Sequence, residues 1–578
     1  MPNLRCIAVT IALALAAPTV AAEPSLSGIL RAYDAWLTEA DPIAAAARGN
    51  TKAAALWPDD SPKAVHTRVG ELERLKSALA ALPVARLQGE DALNARLLTW
   101  RIDIALQGYA FDEERIPFTS DEGFFVTALY AAQDTVLHNA ADAKTWLTRL
   151  GTLAIYFAVD TENMRRGMRT GFVQPRITAL AAARTVHAMA ATSEADDPFL
   201  APFATLPADQ QAAWRAKGLV VIHNQVKSAE RDLADFFQKD YVPASRESLG
   251  AGALPNGAAF YAYLVRRETT TALTPDQIFA IGQSEIKRIR AAMDVQIAAS
   301  GFKGDFAAFQ AMLRRDPRFY VATREALLEK ASRLAKRVDG QLPAFFGKLP
   351  RLSYGVRPVA ASIEEGYTSA RYDPGSPQLG VAGELLINTS HLDQRPLYEL
   401  PALVAHEGAP GHHIQIALGQ ELFDLPAFRQ DSDITAFAEG WAVYAEQLVS
   451  EMGLYETPYA RFGMLSMEMW RACRLVMDVG LHAKGFTRDQ ALSCLRENTA
   501  LSEKNMQNEV DRYIAWPGQA LGYKIGELKI MELRHRAEAT LGAKFDIRAF
   551  HDVVLDEGSM PLEILEQRVN TWIAAQKP

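Results

Sequence analysis

Apolar side chains recur every three or four positions along most of this chain, the period of a helix with one buried face. Residues 25–40, 68–82 and 93–110 carry the pattern, with charged residues and alanine between. Residues 142–171 and 174–191 read as a long helical pair, and residues 209–243 as helix ending at Pro243. Thr274-Pro275-Asp276-Gln277 is a helix start, with a threonine cap, proline in the first turn and glutamine placed to reach back. That helix is predicted to run to about Ala299. The pattern changes once, in residues 351–395, which are rich in Gly, Pro, Tyr and Ser. Within them LGVAGELLINTS (379–390) reads as strand, and residues 395–408 return to helix with Leu400, Leu403 and Val404 on one face. The expectation is a mostly α fold with a small β-sheet at 351–395 directly before that helix. A coarse boundary near residue 260 divides a helical N-terminal half, 23–260, from a C-terminal half, 261–578.

The first 22 residues stand apart. Arg5 is their only charge, Ile7 to Ala17 is apolar, Pro18 breaks the run, and Val20-Ala21-Ala22 supplies small residues. This is the layout of a cleaved export signal and is too short to span a bilayer. A periplasmic or secreted chain beginning at Glu23 is expected, with no stable membrane span. Cleavage leaves Cys473 and Cys494, which can pair in an oxidising compartment or remain buried thiols. With 49% hydrophobic and 22% charged residues the chain can bury a large core, which excludes disorder. A net charge of −8 lacks the basic footprint of a nucleic-acid binder.

Histidine is scarce, 11 in 578 residues, yet His391, His406, His412 and His413 crowd into one stretch. The string VAHEGAPGHHIQ (404–415) sets a glutamate directly after the first of three imidazoles. Neutral imidazoles hold zinc, and a neighbouring carboxylate can take a proton from water on the metal. The usual arrangement puts two histidines at i and i+4 of one helix, with glutamate at i+1. Here Pro410 occupies i+4. On an unbroken helix His406 and His412 would lie about 9 Å apart along the axis, and His406 and His413 about 10.5 Å. Gly408, Pro410 and Gly411 permit a break. With two residues looped out, His412 falls into the i+4 register and is the expected second ligand, with His413 the alternative.

The expected third ligand is Glu439, in the apolar helix of residues 434–453, where an unpaired carboxylate is costly. Glu446, two turns later, is a second candidate or a group that orients a ligand histidine. Glu407 is then the general base. In residues 467–486, Glu468 with Arg471 and Arg474 with Asp478 have the spacing of helix-surface ion pairs. The neighbouring apolar residues equally suit buried arginines facing a carboxylate. His482 closes this helix, and Arg512, Tyr513 and Tyr523 flank the Pro517-Gly518 break. A tyrosine hydroxyl or histidine N–H suits a developing oxyanion. Arg474, Arg512 and Tyr513 are the substrate-binding candidates. Arg165, Arg166 and Arg169 read as a solvated helix end or as a receptor for a peptide carboxylate.

These strings resemble a family. His406-Glu407-Gly408-Ala409-Pro410-Gly411-His412-His413 with Gln415, Phe437 to Glu446 (FAEGWAVYAE), Arg474 to His482 (RLVMDVGLH) and Tyr513 to Gly526 (YIAWPGQALGYKIG) resemble the bacterial DUF885 family. So do Gly167 to Arg176 and Thr274 to Ile278, so the likeness covers nearly all of the chain after the signal. That family is similar to the gluzincin metallopeptidases, which hold zinc with two histidines and one glutamate. The resemblance implies a gluzincin-like, mostly helical fold with a cleft between two halves. It implies an edge strand from the 380s that lines the cleft and can pair with an extended peptide. Zinc would sit on His406, the second histidine and Glu439, with Glu407 as base and His482 and Tyr523 as oxyanion donors. The expected function is zinc-dependent hydrolysis of peptide bonds in short peptides. The alternatives are a zinc hydrolase of non-peptide amides and a non-catalytic envelope binding protein without stoichiometric metal.

Overall fold

The computed structural model describes residues 25–83, 86–120, 122–361, 364–377, 380–430 and 434–576, so the expected signal at 1–22 lies outside the described residues. Most of the expected helices are present, among them Leu26–Ala40, Pro62–Ala80 and Gly89–Phe111. The helix Pro275–Ala299 starts with the expected reciprocal cap: the Gln277 N–H donates to Thr274 Oγ1 (3.3 Å) and the Thr274 N–H to Gln277 Oε1 (2.9 Å). The run at 142–171 is interrupted at Gly151 and Thr152, giving Ala140–Leu150 and Leu153–Thr170. Among the described residues no helix is long and apolar enough to cross a membrane.

The sheet has three strands, β1 (Tyr354–Pro358), β2 (Ala370–Asp373) and β3 (Gly383–Ile387), in the order β1-β3-β2. The strand from the 380s is therefore central rather than the expected edge: β3 runs parallel to β1 and antiparallel to β2. Its alternating buried residues Gly383, Leu385 and Ile387 demand cover, and both its backbone edges are paired. Leu385 and Ile387 share a small core with Leu327, Ala331, Leu400 and Val404, which fixes the helix Leu400–Glu407 to the sheet.

Two larger cores do not follow the boundary expected near residue 260. The first helices return to the C-terminal half, where Leu72, Leu98 and Ile102 pack in one cluster with Trp441, Leu475 and Leu533. Trp57 and residues from Phe118 to Val242 form a separate lobe with its own aromatic core. The helix Pro458–Ala483 is buried on nearly every face, so its charges are not the surface pairs that their spacing suggested. Glu468 pairs with Lys524 (2.8 Å) and Arg288, and Asp478 accepts from Tyr261 Oη (2.6 Å) and the Gly518 N–H.

Cys473 of this helix is disulfide-bonded to Cys494 of Arg488–Asn498, 21 residues later. A cross-link of this span restricts the unfolded chain by about 3 kcal/mol. The Cys473→Ala/Cys494→Ala double variant is expected to lose about that much stability in equilibrium urea unfolding. A loss under about 1 kcal/mol would mean that the unfolded state is already compact there.

Candidate metal centre

The break between the histidines is built by glycine and held from two sides. Helix Leu400–Glu407 ends as the Gly408 N–H bonds Val404 O (2.9 Å) and the Gly411 N–H bonds Ala405 O (2.9 Å). Helix His412–Gly419 then begins. A Cβ on Gly411 would lie 2.1 Å from His406 O, so only glycine permits the turn. The Ala409 N–H donates to Tyr354 Oη of β1 (3.3 Å), and Trp441 Nε1 donates to Pro410 O (2.9 Å). The result is a pair of imidazoles, His406 and His412, with centroids 4.9 Å apart and planes at 87°.

Glu439, on helix Thr435–Glu451, meets both. Its Oε2 lies 3.3 Å from His406 Nε2 and 3.5 Å from His412 Nε2. One donor atom from each of the three residues falls within 4.8 Å of the others. Glu439 Oε2 is buried and makes no hydrogen bond. Burial alone would raise this carboxyl, but His406 and His412 outweigh it and hold it well below the usual carboxylate range. The other face of His406 is fixed: Nδ1 lies 2.8 Å from Glu446 Oε1, which also accepts from Arg471 Nη2 (2.9 Å). Burial opposes the His406 cation, yet Glu439 and Glu446 raise it to about 9. Two imidazole nitrogens and one carboxylate oxygen around a common point, with that oxygen unpartnered, fit a zinc ion. A carboxylate behind a ligand histidine is the usual support of such a site.

The remaining candidates divide. Glu407 Oε2 accepts the Tyr372 N–H of β2 (2.8 Å), which ties the carboxylate to the sheet. The Tyr523 ring lies parallel to His406, 6.4 Å away at 9°, and burial followed by Glu439 pushes its hydroxyl up to about 12. It is thus a neutral donor beside the triad. His413 points to the sheet instead, with Nδ1 2.9 Å from Tyr372 Oη and its ring 4.3 Å from Tyr354; burial drives it down to about 4.

Two expected roles are corrected. His482 has both nitrogens occupied: Nδ1 accepts the Ala251 N–H and Nε2 faces Tyr513 O, each at 2.9 Å. It pins two chain segments together and has no N–H left for an oxyanion. Tyr513 is buried, and its hydroxyl accepts from Trp470 Nε1 and Arg474 Nε and donates to Glu509 Oε2, so it has no capacity left for substrate. Arg165 and Arg169 pair with Glu162 and Arg166 with Asp112, as a solvated helix end does. His391 is exposed and bonded to Glu365.

Sequence reasoning missed Tyr372, whose contribution to Glu407 is a backbone N–H that no side-chain motif signals. It also missed the approach of the 118–242 lobe to β2. Burial and then Asp373 raise the Asp134 carboxyl, while Arg371 is raised by Tyr367, Tyr130 and Glu122 against the effect of burial.

A sequence profile described as a bacterial protein of unknown function (DUF885) matches residues 42–569. The chain belongs to this family. Among solved structures, one from Colwellia psychrerythraea, described as a candidate lipoprotein, is 28% identical, covers 95% of this chain and 98% of its own, and superposes with a TM-score of 0.88. One from Shewanella oneidensis, described as a candidate lipoprotein of unknown function, is 16% identical over 94% of this chain and 99% of its own, with a TM-score of 0.72; it shares the fold. No curated protein matches the chain.

Proposed function

We propose that this chain is an exported, gluzincin-like zinc hydrolase that cleaves peptide bonds in short peptides. The observation that carries the reading is Glu439 Oε2, buried without a hydrogen bond and facing two imidazole nitrogens. Bound there, zinc supplies a Lewis acid for the scissile carbonyl and for water. Glu407, beside His406 and anchored by the Tyr372 N–H, takes the proton of the attacking water and returns it to the leaving amine. Tyr523 Oη donates to the developing oxyanion. Glu446, itself held by Arg471, keeps the proton on His406 Nδ1 and so leaves Nε2 a lone pair for the metal. Export is supported by the Cys473–Cys494 bond, which an oxidising compartment favours, and by the lipoprotein descriptions of the two similar structures.

The test is metal content. After zinc is offered and excess removed, elemental mass spectrometry is expected to find about one ion per chain in the wild type and in His413→Ala. His406→Ala, His412→Ala and Glu439→Gln are expected to retain under about a tenth of that. Folded wild type that holds no metal, or a His413→Ala chain as depleted as His412→Ala, would defeat the proposed centre.

A further inference from the structure

We propose that Arg474 and Arg512 form the receptor for the C-terminal α-carboxylate of a peptide, so that the chain works at peptide C-termini. The bond-cleaving part of this inference rests on the peptidase reading; the receptor itself does not. Glu509 Oε2 alone accepts from Arg474 Nη2 (3.2 Å), Arg512 Nη2 (3.1 Å) and Tyr513 Oη (2.7 Å). Two guanidinium groups therefore share one carboxylate oxygen. The nearby carboxylate Asp478 is already engaged by Tyr261 Oη and the Gly518 N–H.

Arg474 is 3% exposed, and its Nη1 is buried without a hydrogen bond. Its faces are held by Trp470 (4.6 Å) and Tyr523 (4.0 Å), contacts that use the π surface; with Nε on Tyr513 and Nη2 on Glu509, Nη1 is the in-plane group left for an acceptor. A buried cation with an unpaired donor is costly, and a carboxylate satisfies both its charge and its geometry. The Arg512 side chain is 21% exposed, so the cluster opens towards solvent on that side.

The position suits a peptide end. Tyr523, over which Arg474 lies, stacks on the ligand histidine His406. Gln519 Oε1 accepts from Arg512 Nη1 (2.9 Å). The anion receptor and the metal centre thus share one tyrosine ring. Arg474 Cζ lies 4.0 Å from the Tyr523 ring centre and that centre 6.4 Å from the His406 ring, so at most about three residues, at about 3.3–3.6 Å each, separate the scissile carbonyl from the terminal carboxylate.

The test uses acetylated tripeptides randomised at the last two positions, made as free acids and as C-terminal amides. The full mature chain carrying Glu407→Gln is immobilised, and retained peptides are counted by mass spectrometry. Acids are expected to be retained about 10–100-fold over amides, the range of a charged hydrogen-bond pair. Adding Arg512→Gln is expected to erase the preference, and Arg474→Lys to weaken it, in chains whose melting and zinc content match the parent. The wild type is expected to trim acids faster than amides by a similar factor.

Acids and amides retained alike, neither retained, or a preference that survives Arg512→Gln would each overturn the receptor. Hydrolysis of both libraries at equal rates would do the same while leaving the peptidase reading intact. Selective, Arg512-dependent retention of acids without any hydrolysis would support the receptor and defeat the peptidase reading.

Discussion

Glu407→Gln is expected to keep about one zinc ion per chain while lowering kcat/KM for peptide hydrolysis by about 10³-fold, within the usual range for a general base. The substitution is close to isosteric, and glutamine retains a carbonyl oxygen for the Tyr372 N–H that holds Glu407 at 2.8 Å. The three proposed ligands are untouched. What disappears is the basic oxygen, since an amide cannot accept the proton of attacking water and pass it on. A 10³-fold loss corresponds to about 4 kcal/mol of transition-state stabilisation. Elemental analysis and hydrolysis rates on the same preparation separate the possible results. An enzyme still within about tenfold of wild type would remove Glu407 from the proton transfer. A variant that loses zinc together with activity would give Glu407 a structural role instead.

The proposed centre was legible in the sequence to the extent that local chemistry determined it. Scarce histidines beside a glutamate, a glycine-proline interruption and a carboxylate in an apolar helix are each visible in one short string. Helix geometry favoured the looped-out register of His412 but left His413 as the alternative, and the structure decides it by bringing His412 rather than His413 to His406 and Glu439. For helix Pro458–Ala483 the i,i+3 and i,i+4 spacing suggested surface pairs and the apolar neighbours suggested buried arginines, and the structure has the second: Arg471 meets Glu446 and Arg474 meets Glu509. Burial on nearly all sides sends Glu468 to Lys524 and Asp478 to Tyr261. His482 ends an apparently functional string, yet its partners are the Ala251 N–H and Tyr513 O, two backbone groups that carry no sequence signal. Strand order was equally hidden: the composition of residues 383–387 marks a buried strand but not its neighbours, so its central place between β1 and β2 emerges only from the pairing.

Gly526→Ala is expected to destabilise the chain by about 3 kcal/mol, the upper part of the usual range for overpacking. It should also weaken zinc binding by about tenfold, as loss of support around a metal ligand does. Gly526 lies where helix Leu521–Leu541 crosses helix Thr435–Glu451. A Cβ there would fall 1.9 Å from Ala436 O and 2.7 Å from Gly440 Cα. Both are backbone atoms, so no side-chain rotation relieves the clash and the two helices must part. Glu439 adjoins Gly440 on one helix, and Tyr523 lies one turn before Gly526 on the other. The same crossing therefore sets the proposed third ligand against the proposed oxyanion donor, and stability and metal affinity should fall together. Gly419→Ala is the control: it ends helix His412–Gly419, a Cβ there meets nothing within 4 Å, and its effect should stay within about 1 kcal/mol. Urea unfolding and competitive zinc titration of the two variants decide the matter. A Gly526→Ala chain as stable as wild type would show that the crossing is not close-packed. One that is destabilised but binds zinc normally would show that the centre is held by the His406–Glu446–Arg471 side instead.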